Sequence, residues 1–242
     1  MQASAIGLVD RIFKRENLPL RLRPYSILCC GDKCGLVECI RDARSIDHIK
    51  KATPNDSLRG VFERLYMGKS SGLFGRAVDN FVRSLAAYSI ITYMLQVKDR
   101  HNSNIMMDTR GHIIHIDFGF ILGNSPGKFA GMWKHETAPF KLTQDYMEIM
   151  GGPNSEKWKR FRHLFLCGFK AVQRHLEEIE TLVFAMVSPN NRKGLLQMEL
   201  LRKRFLDLQT DEEILSLIDR SVNSWTTHQY DLFQYMQNGI AV

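Results

Sequence analysis

The most sustained pattern in the chain is helical. From Leu73 to Val97 the apolar residues Phe74, Val78, Phe81, Leu85, Tyr88, Ile91 and Leu95 recur at three- and four-residue spacing, which predicts a long helix with Ser70 or Ser71 near its N-cap. Upstream, Ile6 to Arg15 reads as the end of a helix. The stretch LPLRLRPYSILCC alternates apolar and basic residues as a strand does. GDKCG predicts a turn, LVECI a second, buried strand, and RDARSIDHIKK a polar connector that opens a helical region. After the long helix, NIMMD and IIHIDF predict two short strands joined at TRG, where Gly111 suits a tight turn. The segment after Gly119 has no clear period; a loop of about twenty residues in a compact domain is usually functional or disordered. TQDYMEIMGG predicts a helix stopped by Gly151 and Gly152, and the chain from Ser155 onward is mostly helical. Near the end, Tyr230, Phe233 and Met236 fall at spacings of three, which predicts an apolar helix face set against the lobe or a membrane. The pattern as a whole predicts an α+β protein: a mostly helical lobe carrying a few strands, fed by a small β piece with a helix before it.

Composition narrows the function classes. With 242 residues, 44% of them apolar, the chain suits one compact domain or two small lobes. A net charge of +7 and a pI near 9.2 favour an anionic partner: phosphate, nucleic acid or an acidic membrane surface. The basic-aromatic EKWKRFRHLF and the run LRKRF fit a solvated helix face equally well, and no nucleic-acid motif accompanies them, so no nucleic-acid partner is expected. The longest apolar-rich stretch, Leu85 to Leu95, is shorter than the ~20 residues a spanning helix needs. The N-terminus lacks the apolar core and cleavage site of a secretory signal, so a soluble or peripheral protein is expected. Cys29, Cys30, Cys34 and Cys39 cluster, but on predicted strands and without histidines at zinc-finger spacing; free thiols are the default.

Candidate chemistry concentrates in QVKDRHNSNIMMDTRGHIIHIDFGF, Gln96 to Phe120. Phosphoryl transfer from a nucleotide needs metal held against the phosphates and a group that orients and deprotonates the attacking hydroxyl. Magnesium takes oxygen ligands and keeps several waters, so one carboxylate and one amide oxygen suffice; Asp117 and Asn104 supply that pair. Asp99 and Asn104 are five residues apart, the spacing of the catalytic-loop pair in protein kinases, and His101 lies between them as a candidate proton acceptor. Each residue alone has a plainer role: a loop cap, a turn, a core histidine. The group together with Asp117-Phe118-Gly119 is hard to explain as structure only. His112 and His115 alternate on a strand, but no carboxylate spacing supports a zinc site. GKSSG, Gly68 to Gly72, is not a P-loop, because Glu63 stands where that motif needs glycine.

DRHNSN followed by DFG resembles the catalytic and metal-binding loops of the phosphatidylinositol 3- and 4-kinase superfamily. LQVKDRHN, GHIIHIDFGFIL, ETAPFKLT, IMGG and YDLFQYMQNGI resemble type III phosphatidylinositol 4-kinases, the beta form more than the alpha form. The resemblance covers nearly the whole chain. Ser103 departs from the glycine usual there. It implies a protein-kinase-like two-lobe fold, with residues 1–41 a partial β N-lobe and 42–242 a helical C-lobe carrying the catalytic and activation loops. It implies ATP and Mg2+ as cofactors, with Asp99 and His101 catalytic, His101 the proton acceptor, and Asn104 and Asp117 holding the metal. It implies an adenine hinge at Glu38, Cys39 and Ile40, with the Glu38 carbonyl and the Ile40 amide facing the base. The loop from Phe118 to Lys141 would meet the lipid headgroup. Its scattered Lys128, Lys134 and Lys141, with Trp133 among them, suit the single phosphate of phosphatidylinositol. The implied partner is phosphatidylinositol in membranes and the implied place is cytoplasmic, peripheral to an internal, Golgi-type membrane. Protein recruiters are not specified by the sequence.

The family's phosphate-covering loop, ATP-binding lysine and acidic partner are expected upstream of Met1, so the chain alone is expected to lack appreciable activity. The alternatives are a truncated, catalytically silent kinase fragment, a related superfamily 3-kinase, and the protein-serine kinases of the superfamily. The last do not share ETAPFKLT or YDLFQYMQNGI.

Overall fold

The computed structural model describes residues 2–31, 34–66, 72–122, 138–186, 192–222 and 224–242. At its centre is α4 (Leu73–Leu95). Phe81, Val82, Ala86, Tyr88, Ile90, Ile91 and Met94 on it are all fully enclosed. A helix apolar on nearly every side belongs inside a core, and α6 (Glu156–Arg174) and α3 (Leu58–Tyr66) cover it. Truncating one such residue, Phe81→Ala for instance, removes about 3–5 kcal/mol by the usual large-to-small cost. The predicted stripe is core as expected, with Phe74 only partly buried. The expected cap at Ser70 or Ser71 lies outside the described residues. The helix follows Gly72, which makes no side-chain cap bond, and ends at Gln96 in the left-handed region.

The first helix, α1 (Gln2–Arg15), packs on α6 and on α7 (Leu176–Met186), so Ile6, Val9, Ile12 and Phe13 join the core of the helical lobe. The expected strand from Leu18 forms only in its last part, β1 (Ile27–Gly31). Leu20 and Leu22 do alternate inward with Arg21 exposed and Arg23 half-buried, but their neighbour is a helix. Arg21 N donates to Arg83 O of α4 (3.4 Å) and Arg23 N to the Tyr88 hydroxyl (3.2 Å), so no ladder forms. β1 pairs antiparallel with β2 (Cys34–Val37). The sequence predicts a buried strand over Leu36–Ile40 after a turn at Gly31–Gly35; the observed strand starts earlier, at Cys34, and stops at Val37, and every residue of both strands is exposed, because no second layer among the described residues covers this two-stranded ribbon.

A separate three-stranded sheet has the order β3 (Ala43–Ser45), β4 (Ile105–Asp108), β5 (Ile113–His115). β3 lies in what the sequence predicts as a polar connector. It pairs Arg44 with Met107 and leads into α2 (Ile46–Ala52), capped by Ser45. β4 and β5 are the predicted pair, in register Met106 opposite Ile114. The turn between them needs Gly111: φ is +89°, and a Cβ there would lie 2.8 Å from Ala77 O of α4.

The helix α5 (Gln144–Ile149) ends before Gly151 and Gly152, both at positive φ, as expected. Then follow α6 and α7, α8 (Arg192–Leu206), α9 (Asp211–Ser221) and α10 (Trp225–Asn238). In α10 the predicted apolar face is not the inner one. Met236 is 83% exposed, while Thr227, Asp231 and Gln234 are buried. The helix turns a polar face inward because the surface it covers is a polar loop.

Candidate active site

Two backbone hydrogen bonds place the loop after α4 beside the segment after β5. Lys98 N donates to Phe120 O (2.9 Å), and Leu122 N to Leu95 O (2.7 Å). Asp99 (φ +65°) and Asp117 (φ +50°) both sit in the left-handed region, where aspartate is tolerated at some cost. A short 3-10 turn, Asn102–Asn104, then feeds β4, and Ile116 N donates to Asn104 O (3.0 Å). Asn104 therefore lies across the ladder from Ile116, next to Asp117. Sequence reasoning named these two as partners without being able to show that the hairpin folds one back on the other.

Arg100 fastens the two segments. Its guanidinium is buried and donates through Nε to Lys98 O (3.0 Å), through Nη1 to Ile116 O (2.7 Å) and through Nη2 to Asp117 O. It also stacks over the Phe118 ring, 5.5 Å from the centroid. Planar, permanently charged and many-donored, arginine suits three carbonyls at once. From the N-terminal side the buried Tyr25 hydroxyl reaches the Asp117 backbone.

The Asn104 amide nitrogen donates to Asp99 O (2.9 Å) and meets His101 Nε2 at 3.1 Å. With both amide hydrogens used, Oδ1 is its remaining ligand atom, and an oxygen is what a hard cation takes. This network makes Nε2 of His101 an acceptor and assigns the ring proton to Nδ1. Burial lowers the His101 pKa and the Asp99 carboxylate, 3.7 Å from Nε2, opposes it; burial prevails, so the ring is held neutral. Asp117 is exposed, with Oδ1 accepting from Gly119 N (3.1 Å). Asn104 and Asp117 thus offer oxygen donors of the kind that a magnesium ion takes, on backbone segments joined by a hydrogen bond.

The other predicted residues are placed as follows. Glu38 is exposed and its carboxylate accepts from Ser26 N (2.8 Å), which lowers its pKa; Cys39 is exposed and Ile40 buried. Lys128, Trp133 and Lys134 lie outside the described residues. Lys141 is not exposed to a headgroup, as expected of the loop, but buried, its side chain 1% exposed, with Nζ 2.6 Å from Asp231 Oδ1 and 3.0 Å from Asn102 Oδ1. A buried ammonium needs a carboxylate, and Asp231 of α10 provides it. His112 bonds Asp108 (3.0 Å), and the enclosed His115 stacks on Tyr88 with ring centroids 4.8 Å apart. Sequence reasoning missed Tyr25, Asp231 and the contact of Tyr230 with Asp99. One signal was available: Thr227, Asp231 and Gln234 share a helix face.

The chain belongs to the phosphatidylinositol 3- and 4-kinase family, whose model, described as "Phosphatidylinositol 3- and 4-kinase", matches residues 3–191. That membership implies a kinase-like fold. It is 42% identical over 250 residues to "Phosphatidylinositol 4-kinase" of Dictyostelium discoideum, covering 99% of this chain and 21% of that protein. It is 44% identical over 241 residues to "Phosphatidylinositol 4-kinase beta 1" of Arabidopsis thaliana, covering 95% of this chain and 21% of that one. Against "Phosphatidylinositol 4-kinase beta" of Xenopus laevis it is 39% identical over 247 residues, covering 99% and 30%. The chain therefore spans between a fifth and a third of the length of these relatives. Among the described residues no helix is long and apolar enough to cross a membrane.

Proposed function

We propose that this chain is the catalytic region of a phosphatidylinositol 4-kinase, transferring the γ-phosphate of ATP to the inositol 4-hydroxyl of phosphatidylinositol. The observation that carries the reading is the stitching of Asp99, His101 and Asn104, on one loop, to the strand that runs into Asp117. In this reading the inositol oxygen bonds to the γ-phosphorus, the bond to ADP breaks, and the hydroxyl proton passes to His101 Nε2, whose lone pair the Asn104 amide gives up as the hydroxyl takes its place. The neutral ring is ready to accept it, and Asp99 stabilises the cation that results. Magnesium held by Asn104 Oδ1 and the Asp117 carboxylate would offset charge on the phosphates. Arg100 keeps the two halves of the site in register. The Glu38 carbonyl and Ile40 amide, with Cys39 between them, receive adenine. The loop bearing Lys128, Trp133 and Lys134 meets the lipid, and the enzyme works at the cytoplasmic face of an internal, Golgi-type membrane.

The test offers labelled ATP and mixed vesicles to the full-length protein. Phosphatidylinositol should be preferred over its phosphorylated derivatives, and the product should carry phosphate on the 4-hydroxyl. A 3-phosphate product, or preference for a bisphosphorylated lipid, overturns the reading.

A further inference from the structure

We infer that α10 supplies a positioning residue for the transfer step: the Tyr230 hydroxyl, oriented by a relay along its own helix, fixes the Asp99 carboxylate beside His101. The inference rests on the kinase reading above. Asn238, Gln234 and Tyr230 are spaced by four and lie one above another on α10. Asn238 Nδ2 donates to Gln234 Oε1 (2.6 Å), and Gln234 Nε2 donates to Tyr230 Oη (2.7 Å). The phenol then has its own proton to give, and it gives it to Asp99 Oδ1. Each link has a forced direction, since an amide NH2 only donates and a carboxylate only accepts. The relay therefore ends in an acceptor that ionises, the strongest class of side-chain hydrogen bond.

A second anchor lies one residue on. Asp231 holds Lys141, and Lys141 holds the Asn102 side chain, whose amide also donates to Ala241 O (2.8 Å). Asp99 and Asn102, on either side of His101, are thus both fixed through α10. Charged groups around the histidine are Asp99, Arg100, Lys141 and Asp231. A left-handed aspartate on a short loop needs outside support to keep one side-chain position, and the helix gives it. Tyr230 lies 131 residues from Asp99 in sequence, which is why the loop's own motif does not show it.

The test compares Tyr230→Phe and Gln234→Leu with the unaltered protein in the full polypeptide, and follows the Tyr230 13Cζ resonance in the chain. Tyr230→Phe should lower kcat about tenfold with KM for ATP unchanged, the cost of a carboxylate misplaced by a fraction of an ångström. Gln234→Leu, which keeps the hydroxyl but not its orientation, should lower kcat by less. Asp99→Asn should move the Tyr230 resonance, a readout that needs no turnover. A kcat within twofold of the unaltered protein overturns the inference. So does a rise in kcat, which would mean that α10 blocks Asp99. If Tyr230→Phe does not fold, or if the unaltered protein shows no turnover above Asp117→Ala, the resonance decides. In the second case the kinase reading has failed by itself: a shift upholds the Tyr230–Asp99 tie and no shift overturns it.

Discussion

The buried carboxylate of Asp108 holds the turn between the two strands that bring Asn104 and Asp117 together. Its Oδ1 accepts from Arg110 N (2.9 Å) and His112 N (2.9 Å), and His112 Nδ1 approaches Oδ2 at 3.0 Å. Burial alone would raise its pKa, but the hydrogen bonds from His112 and Arg110 together outweigh burial and lower it. A carboxyl whose folded pKa lies below its unfolded value adds stability above about pH 4, and that stability is lost as pH falls through the folded value. Asp108→Asn should therefore cost about 1–3 kcal/mol at neutral pH and flatten the loss of stability below about pH 4. Urea titrations at neutral and acid pH check both; equal acid sensitivity of the two proteins would remove Asp108 from the account. At this scale the grouping of Asp99, His101 and Asn104 beside Asp117 could be read from the sequence because they stand on one short loop and the hairpin after it. Lys141 and Tyr230 could not, because their partners are distant in sequence: Asp231 is 90 residues from Lys141, and Asp99 is 131 from Tyr230.

Elements were legible where one partner surface decides them. α4 follows from its apolar stripe, and β4 and β5 from alternation around a glycine turn. Residues 18–26 show the limit. Alternation marks which side chains go inward, but only a neighbouring strand turns an extended segment into a sheet, and here the neighbour is α4. The orientation of α10 is unreadable for a related reason: its inner face matches the polar candidate catalytic loop instead of an apolar core. The β4–β5 turn gives the sharpest test at this scale. Gly111→Ala puts a Cβ 2.8 Å from a main-chain oxygen of α4 at φ +89°, where neither side yields cheaply. A loss of about 2–3 kcal/mol is expected in chemical denaturation. A change under about 0.5 kcal/mol, the scale of ordinary surface substitutions, would mean that the turn does not brace the site.

The molecule as a whole is a helical body with the candidate catalytic loop held between β4, the segment after β5, and α10. The β1–β2 ribbon is the one sheet among the described residues without an apolar face covered. Leu28 and Leu36 oppose each other across it, 61% and 63% exposed. Such an edge invites pairing with other chains, so Leu28→Lys with Leu36→Glu should reduce light scattering of the 242-residue chain and leave Tm unchanged. Unchanged scattering would place self-association elsewhere. The central claim, that the hairpin brings Asn104 and Asp117 together to hold metal for phosphoryl transfer, meets its most direct test in one substitution. Asp117 is exposed, and among the described residues its side chain makes a local bond to Gly119 N, so Asp117→Ala should leave the fold intact. In the full-length protein, the initial rate of phosphate transfer from labelled ATP to phosphatidylinositol should fall at least about a thousandfold, with Tm unchanged. A rate within tenfold of the unaltered protein would contradict the account.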